Sequence, residues 1–231
     1  MKIFIDKKGI IYKNNIYGYE NTLELYKEFH KNTLQIVLLG EELHVQCLDI
    51  PNCKKRYLSS IVEHEVRENF NNWESILYNY SIVKRENQGF KILINYIYSE
   101  NLKYIKLYSK SLKIQYVYPI QLMVTKKFNK INKNKVYTII FKYKEIFYVC
   151  AYYKNLIIGT AIINKVEFKD KGFLKVEEFL DIVQEICCEL KLDFSRYIYI
   201  YLQEEIIKKA NQENLEEELN NFLEDCDEIQ I

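Results

Sequence analysis

The chain has 231 residues, a formal charge of +1 and 48% hydrophobic residues. It is long enough to bury a core as one large domain or two small lobes, and its composition excludes a disordered protein. The near-neutral balance creates no global field that would attract nucleic acid or a membrane. Charge is nevertheless uneven, with eleven lysines and no acid in residues 101–144 and eight acids and no base in 213–228. Two solvated faces are the simplest interpretation, and a docking face for an acidic partner or an anionic membrane is the alternative.

The N-terminus favours a cytosolic protein. It begins with the short strand pattern MKIFID, and no signal-peptide hydrophobic region follows. No apolar run approaches the roughly 20 residues needed to cross a bilayer. The cysteines form no C-x-x-C pair, so we expect free thiols. The cysteines are Cys47, Cys53, Cys150, Cys187, Cys188 and Cys226.

The first 50 residues are predicted to be mainly strands. A hairpin with its turn at Lys7-Lys8-Gly9 opens the chain, and a helix is expected from Asn21. The run LQIVLLG at 34–40 is continuous and apolar, which is typical of a strand buried on both faces. The segment LHVQCLDI at 43–50 alternates, and we predict that it pairs beside that buried strand.

The middle of the chain changes period. Residues 54–70 place apolar side chains on one helical stripe, and two strand patterns follow in LYNYSIVKR and FKILINYIYS. A helix from Asn101 to Leu112 is predicted to lead into the strand KIQYVYP, so the order β-α-β recurs. The stripe consists of Leu58, Ile61, Val62, Val66 and Phe70.

The second half repeats this alternation. We expect a helix over 120–128, three strands within 136–163 and a helix from about 174 to 191. The segment RYIYIYL at 196–202 predicts a strand, and from Glu204 onward a helix with an acidic end is expected. The pattern indicates an α/β protein, or α+β, with mixed sheets.

Motifs that carry chemistry are absent from the sequence. It contains neither G-x-x-x-x-G-K-[ST] nor G-x-G-x-x-G, the loops that commonly hold phosphates. His64 and Glu68 occupy the spacing of a zinc-protease helix, but the second histidine is missing. His44 and Cys47 are three apart in a strand and therefore point to opposite faces. We predict no catalytic residue and no metal site. The Lys/Tyr pattern of 104–108 could stack bases, although such side chains more often cover a helix.

The order of the predicted elements resembles a known family. The segment VLLGEELHVQCLDIPNCKKRYLSSIVEHEVRENF resembles the first-lobe segment of the PilM family of type IV pilus assembly proteins, which is similar to the cytoplasmic domain of the type II secretion protein GspL. In that family a strand pair ends in a Leu/Ile-Pro step, and basic residues and a helix L-x-x-x-[IV]-x-x-E follow. Leu58, Val62 and Glu65 match this helix. The match in order covers most of residues 1–205.

The resemblance implies a two-lobed, actin-like (ribonuclease-H-like) fold around a cleft. The expected first lobe is 1–118, with an inserted strand-helix subdomain over about 51–100, and the second is 119–231 with an acidic C-terminal helix. Nucleotide-binding members have three phosphate loops that require glycine, because the backbone must approach the phosphates closely. The corresponding positions here are Lys7, Lys8 and Gly9, then Lys142, Tyr143 and Lys144, then Gln203 and Glu204. We therefore expect no cofactor and no nucleotide hydrolysis.

The resemblance also implies a function. It predicts a cytosolic scaffold at the inner face of the cell membrane, in a type IV pilus or type II secretion-like assembly. Its partner would be the tail of a PilN-like single-pass inner-membrane protein, the pilus motor ATPase is a second candidate partner, and no nucleic acid would be bound. Two alternatives are an active actin-like or ribonuclease-H-like enzyme, and a nucleic-acid-binding module. The candidate partner-binding helix carries Leu58, Ile61, Val62 and Val66.

Overall fold

The computed structural model describes residues 1–13, 15–110, 112–128, 135–154, 156–202, 205–210 and 214–228. Within them the chain forms two five-stranded sheets, one three-stranded sheet and six α-helices. The elements up to residue 128 are β1 (Lys2–Asp6), β2 (Gly9–Tyr12), β3 (Asn15–Tyr17), α1 (Thr22–Phe29), β4 (Thr33–Leu38), β5 (His44–Pro51), α2 (Leu58–Asn69), β6 (Ile76–Glu86), β7 (Gly89–Tyr98), α3 (Leu102–Ser109), β8 (Lys113–Pro119) and α4 (Ile120–Phe128). The later elements are β9 (Val136–Tyr143), β10 (Ile146–Tyr153), β11 (Leu156–Asn164), α5 (Lys165–Leu190), β12 (Phe194–Leu202), β13 (Glu205–Ala210) and α6 (Leu215–Glu228).

The two larger sheets repeat one topology. The first sheet has the order β3-β2-β1-β4-β8, and the second has the order β11-β10-β9-β12-β13. In each sheet the first strand forms a hairpin with the second, and the strand that follows a helix returns parallel to the first. The sheets differ at one edge, because β8 is parallel to β4 whereas β13 is antiparallel to β12. A repeated mixed sheet of this kind is the predicted actin-like arrangement.

The pairing of strand β5 differs from the prediction. We expected it beside β4, but β4 is bonded to β1 on one side and to β8 on the other. Both edges of β4 are therefore occupied, and β5 pairs with β7 in a separate sheet of order β5-β7-β6, which we call the small sheet. The small sheet begins at His44, before the expected start of the inserted subdomain at about 51. The division of the chain at 118 and 119 stays a prediction.

The helix predicted from Glu204 is also corrected. Residues 205–210 form β13, which pairs with β12, and helix α6 begins only at Leu215. The unpaired side of β12 explains the difference, because a strand edge offers hydrogen-bond partners that a helix in this segment could not use. The acidic residues of the C-terminal segment begin α6, where Glu216, Glu217 and Glu218 occupy the first turn. Negative charge is favourable at that end of a helix.

One apolar cluster joins the two larger sheets. It includes Ile5 and Leu38 from the first sheet, and Tyr137, Phe141 and Tyr148 from the second. A second cluster buries one side of α5 against the other face of the second sheet. The first and second sheets therefore share a core, because residues of both are removed from water in the same cluster.

The thiols provide a test of these buried positions. Burial raises the pKa of Cys150 and of Cys187 to about 12, whereas Cys188 is exposed on the surface of α5. At pH 8 a thiol with that pKa is a thiolate in only about one molecule in 10⁴, and the thiolate is the reactive form. We expect iodoacetamide to modify Cys188 of the native protein first, and Cys150 and Cys187 only after unfolding. Peptide mass spectrometry of a time course would show this, and early modification of Cys150 would contradict the packing.

Candidate functional site

The two hairpin turns for which the resemblance implied phosphate-loop positions lie against each other. The Nζ of Lys144, between β9 and β10, is 3.4 Å from Oδ2 of Asp6, at the end of β1. Beside this ion pair the rings of Phe4 and Tyr143 stack with centroids 5.8 Å apart. The structure thus brings together the first two sets of positions that sequence reasoning selected. The two turns are in direct side-chain contact through this ion pair and this ring stack.

The backbone amides of the first turn are already bonded. Oδ1 of Asp6 accepts hydrogen bonds from the amide of Lys8 at 2.8 Å and from that of Gly9 at 3.2 Å. Gly9 has a φ of +151°, and a Cβ there would overlap the carbonyl oxygen of Tyr17. The glycine is therefore required by the close approach of neighbouring strands. Because the Asp6 carboxylate occupies these amides, a phosphate would have to displace it.

The second turn is occupied by large side chains. Burial, and secondarily the Asp6 carboxylate, raises the pKa of Tyr143 above its ordinary value. The ammonium of Lys142 lies 5.8 Å from the centroid of the Phe147 ring. These side chains cover the turn, whereas a turn made of glycines would leave its backbone accessible to a phosphate. The third predicted loop, with Gln203 and Glu204, lies outside the described residues.

A second bridge joins the sheets through the segment that follows β4. The amide of Gly40 donates a hydrogen bond to Oη of Tyr148 at 2.9 Å, and the Tyr148 ring stacks on Phe141 at 4.9 Å. Nearby, Oγ1 of Thr160 donates to the carbonyl of Leu43 at 2.7 Å. The segment after β4 is thereby bonded to two strands of the second sheet.

The candidate partner helix α2 faces inward. Leu58, Val62 and Val66 are buried, and they pack against the small sheet together with Ile92 and other apolar residues. Ile61 is half-buried and lies at the border of that cluster. Three of the four candidate side chains thus form the protein's own core and are not accessible to a partner. A partner contact at α2 stays a prediction that rests on Ile61 and the exposed side of the helix.

A groove that sequence reasoning missed lies between the first sheet and the small sheet. Its volume is about 770 Å³, and it is bordered by the edge strand β8, by α4 and by parts of β6 and β7. Most of its described lining is apolar or aromatic, and Lys2 is the single charged residue among the described lining residues. The lining residues are Lys2, Gln35, Leu43, Leu77, Tyr78, Asn79, Asn95, Ile97, Tyr116, Val117, Tyr118, Pro119, Leu122 and Met123.

Two features of the groove suit a polypeptide ligand. Strand β8 is bonded to β4 on one side only, so its other edge is open in the described sheet. The described lining beside that edge is mostly apolar or aromatic, so it can pack against apolar side chains of a ligand. The alternating segment KIQYVYP was the sequence signal from which the groove could have been found. An aromatic residue of this strand, Tyr116, is 56% exposed.

The described residues show neither a metal cluster nor a membrane-spanning helix. No group of three or more His, Cys, Asp or Glu side chains is arranged there to hold a metal ion. Among the helices described, none has the length and apolarity needed to cross a bilayer.

Comparisons with known proteins support the fold. No protein-family model and no curated protein sequence matches the chain. A structure of the "PilM-PilN type IV pilus biogenesis complex" is similar, with a TM-score of 0.50, 9% identity, and coverage of 94% of this chain and 78% of that one. The cytoplasmic domain of EpsL, an inner membrane component of the Vibrio cholerae type II secretion system, has a TM-score of 0.46, 10% identity and coverages of 91% and 86%.

A third similar structure is a protein of unknown function from Bacteroides thetaiotaomicron with an actin-like ATPase fold. Its TM-score is 0.44, its identity 12%, and the coverages are 96% of this chain and 87% of that one. The last two TM-scores lie below 0.5, so the fold rests on the repeated topology and on the first comparison. Together these define a mixed α/β protein with an actin-like fold. At 9% identity, the likeness shows the fold and not membership of a family.

Proposed function

We propose that the protein is a cytosolic scaffold that binds the cytoplasmic tail of a membrane-spanning partner in a type IV pilus or type II secretion-like assembly. The observation that carries this proposal is the groove beside β8, with its open strand edge and apolar lining. The fold is compatible, since the similar structure is that of a complex between PilM and PilN. The partner would hold the scaffold at the inner face of the membrane, and the motor ATPase of the assembly is a second candidate partner.

The groove suggests how a tail would bind. An extended segment could add to the open edge of β8, so that main-chain hydrogen bonds supply affinity. Its apolar side chains would contact Leu77, Val117 and Leu122, which are only partly buried by the protein itself. The tail would thereby remove from water the apolar surface that the groove exposes.

The scaffold is proposed to act without nucleotide hydrolysis. Two observations support this: Asp6 occupies the amides of Lys8 and Gly9, and Lys144 is paired with Asp6 across the turns. A nucleotide would have to break these contacts and also displace the stacked rings of Phe4 and Tyr143. In this proposal, the protein's own side chains take the place of the phosphate that a nucleotide-binding member would hold.

Nucleotide binding is tested by thermal unfolding. A ligand present at 100 times its dissociation constant stabilises a protein by about 2.7 kcal/mol, which for a chain of this size raises Tm by roughly 5–10 °C. We expect millimolar Mg²⁺·ATP to change Tm by less than about 1 °C, against a Mg²⁺-only control. A rise of several degrees would contradict the proposal and would favour the active actin-like ATPase.

The scaffold itself is tested by affinity capture. Tagged protein is incubated with detergent-solubilised membranes of its own cell, and captured proteins are identified by mass spectrometry. We expect a single-pass membrane protein of a pilus or secretion assembly, whose capture is lost when its cytoplasmic tail is deleted. Recovery of soluble proteins or nucleic acid alone would oppose the proposal.

A further inference from the structure

A second cleft lies between the segment after β5 and the β6–β7 hairpin. Its volume is about 550 Å³, within the usual range for small-ligand sites. Its lining shares no residue with the groove beside β8. The lining residues are Asn52, Cys53, Lys54, Lys55, Ile82, Arg85 and Phe90.

All charges that line this cleft are positive. Lys54, Lys55 and Arg85 contribute three cations, Asn52 adds an amide donor, and no carboxylate is among the described residues that line the cleft. Ammonium and guanidinium groups are donors only, so the charged part of the lining presents hydrogen-bond donors and no acceptor. The floor includes Phe90, and the Arg85 guanidinium lies 5.5 Å from the centroid of its ring. An apolar wall beside like charges strengthens their field inside a cleft.

The cations of the cleft differ from the neighbouring lysines in their pairing. Lys84 forms an ion pair with Glu86 at 2.9 Å, and Lys91 forms one with Asp49 at 3.1 Å. Within the described part of the chain, no carboxylate pairs with Lys54, Lys55 or Arg85. The local acids therefore neutralise the lysines outside the cleft and leave its interior positive.

We propose that this cleft binds a phosphate group. A phosphomonoester carries about two negative charges near neutral pH and a phosphodiester carries one. The oxygens of either group accept several hydrogen bonds, which suits a cleft lined by three cations. Arginine binds such a group through two parallel hydrogen bonds, and lysine binds it as a point charge. The phosphate could belong to a free phosphate compound or to the headgroup of an anionic lipid, because both present the same chemistry.

The test uses two probes and two matched variants of the full chain. Inorganic pyrophosphate is titrated by calorimetry, and phosphatidylglycerol vesicles are used in flotation, with phosphatidylcholine vesicles as the neutral reference. The cleft variant is Lys54→Gln, Lys55→Gln and Arg85→Gln. The control variant is Lys13→Gln, Lys27→Gln and Lys31→Gln, which removes the same three charges far from the cleft in sequence. Both variants change the formal charge from +1 to −2.

We expect the cleft variant to bind at least one probe about tenfold more weakly, and the control variant to stay within about twofold of the wild type. Binding of pyrophosphate identifies free phosphate compounds as a source, and binding of vesicles alone identifies a lipid headgroup. The proposal is overturned if neither probe binds, or if both variants weaken binding equally, which would indicate net charge only. All three substituted side chains are exposed, so folding should be retained, and the single Lys54→Gln variant provides a milder form of the test. Failure here leaves the groove and its partner tail unaffected.

Discussion

The substitution Leu122→Arg is expected to weaken binding of the proposed partner tail by at least about 30-fold, which corresponds to loss of a contact worth about 2 kcal/mol. Leu122 is a partly buried residue of α4 that lines the groove beside β8. Arginine is a good helix former and its long side chain can reach solvent, so the fold should be preserved. The groove, by contrast, would be filled and would carry a charge where the tail needs apolar surface. Fluorescence anisotropy with a labelled peptide of the captured protein's tail measures the effect.

The matched control is Ile61→Arg on α2. Ile61 is also a partly buried aliphatic residue on a helix, and it was among the partner contacts predicted from sequence. We expect this variant to bind the tail as the wild type does. The opposite result, with normal binding by Leu122→Arg and loss by Ile61→Arg, would move the site from the groove to α2. If both variants lose tail binding and their circular dichroism is altered, folding is disturbed. The smaller substitutions Leu122→Gln and Ile61→Gln then replace them in the test.

Replacement of Tyr148 is expected to have the largest effect on stability. The side chain is fully buried, stacks on Phe141 and accepts a hydrogen bond from the amide of Gly40. Tyr148→Ala should lower the free energy of unfolding by about 3–5 kcal/mol, as for other large buried aromatics. Tyr148→Phe keeps the ring and removes only the hydroxyl, so we expect about 1–2 kcal/mol from the amide left without its partner. Urea unfolding followed by circular dichroism measures both values.

An exposed tyrosine provides the comparison for Tyr148. Tyr26 on α1 is 45% exposed and stacks on His30. Tyr26→Ala is expected to change the free energy of unfolding by less than about 1 kcal/mol, as is usual for surface positions. If Tyr148→Phe proved neutral while Tyr148→Ala remained costly, the ring would matter and the bridge to Gly40 would not. Equal effects of Tyr148→Ala and Tyr26→Ala would contradict the shared core.

Magnitudes indicate what holds the two larger sheets together. The ion pair between Asp6 and Lys144 has side chains that are 20% and 49% exposed, and such pairs contribute about 0–1 kcal/mol. Each large apolar side chain buried in the shared cluster contributes about 1.5–3 kcal/mol. Apolar packing therefore dominates, and the ion pair chiefly determines which groups occupy the space between the turns.

The sequence by itself determined the class and much of the element order. Continuous apolar runs marked buried strands such as β4, and a stripe of period 3.6 marked α5 from about residue 174 onward, because burial imposes a periodicity that depends only on local geometry. The glycine-poor turns at Lys7–Gly9 and at Lys142–Lys144 could also be identified from the sequence. The contact between these two turns could not be predicted, since they are more than 130 residues apart in the sequence.

Only the tertiary structure decided what each apolar face packs against. The stripe on α2 was predicted correctly as a stripe, but periodicity does not distinguish a face that meets a partner from one that meets the small sheet. The pairing of β5 depended on both edges of β4 being occupied, one of them by a strand about 80 residues later. The groove is likewise assembled from residues between Lys2 and Met123 that meet only after β8 has joined the first sheet. Contacts between distant segments are set by topology, and a single sequence carries no local pattern for them.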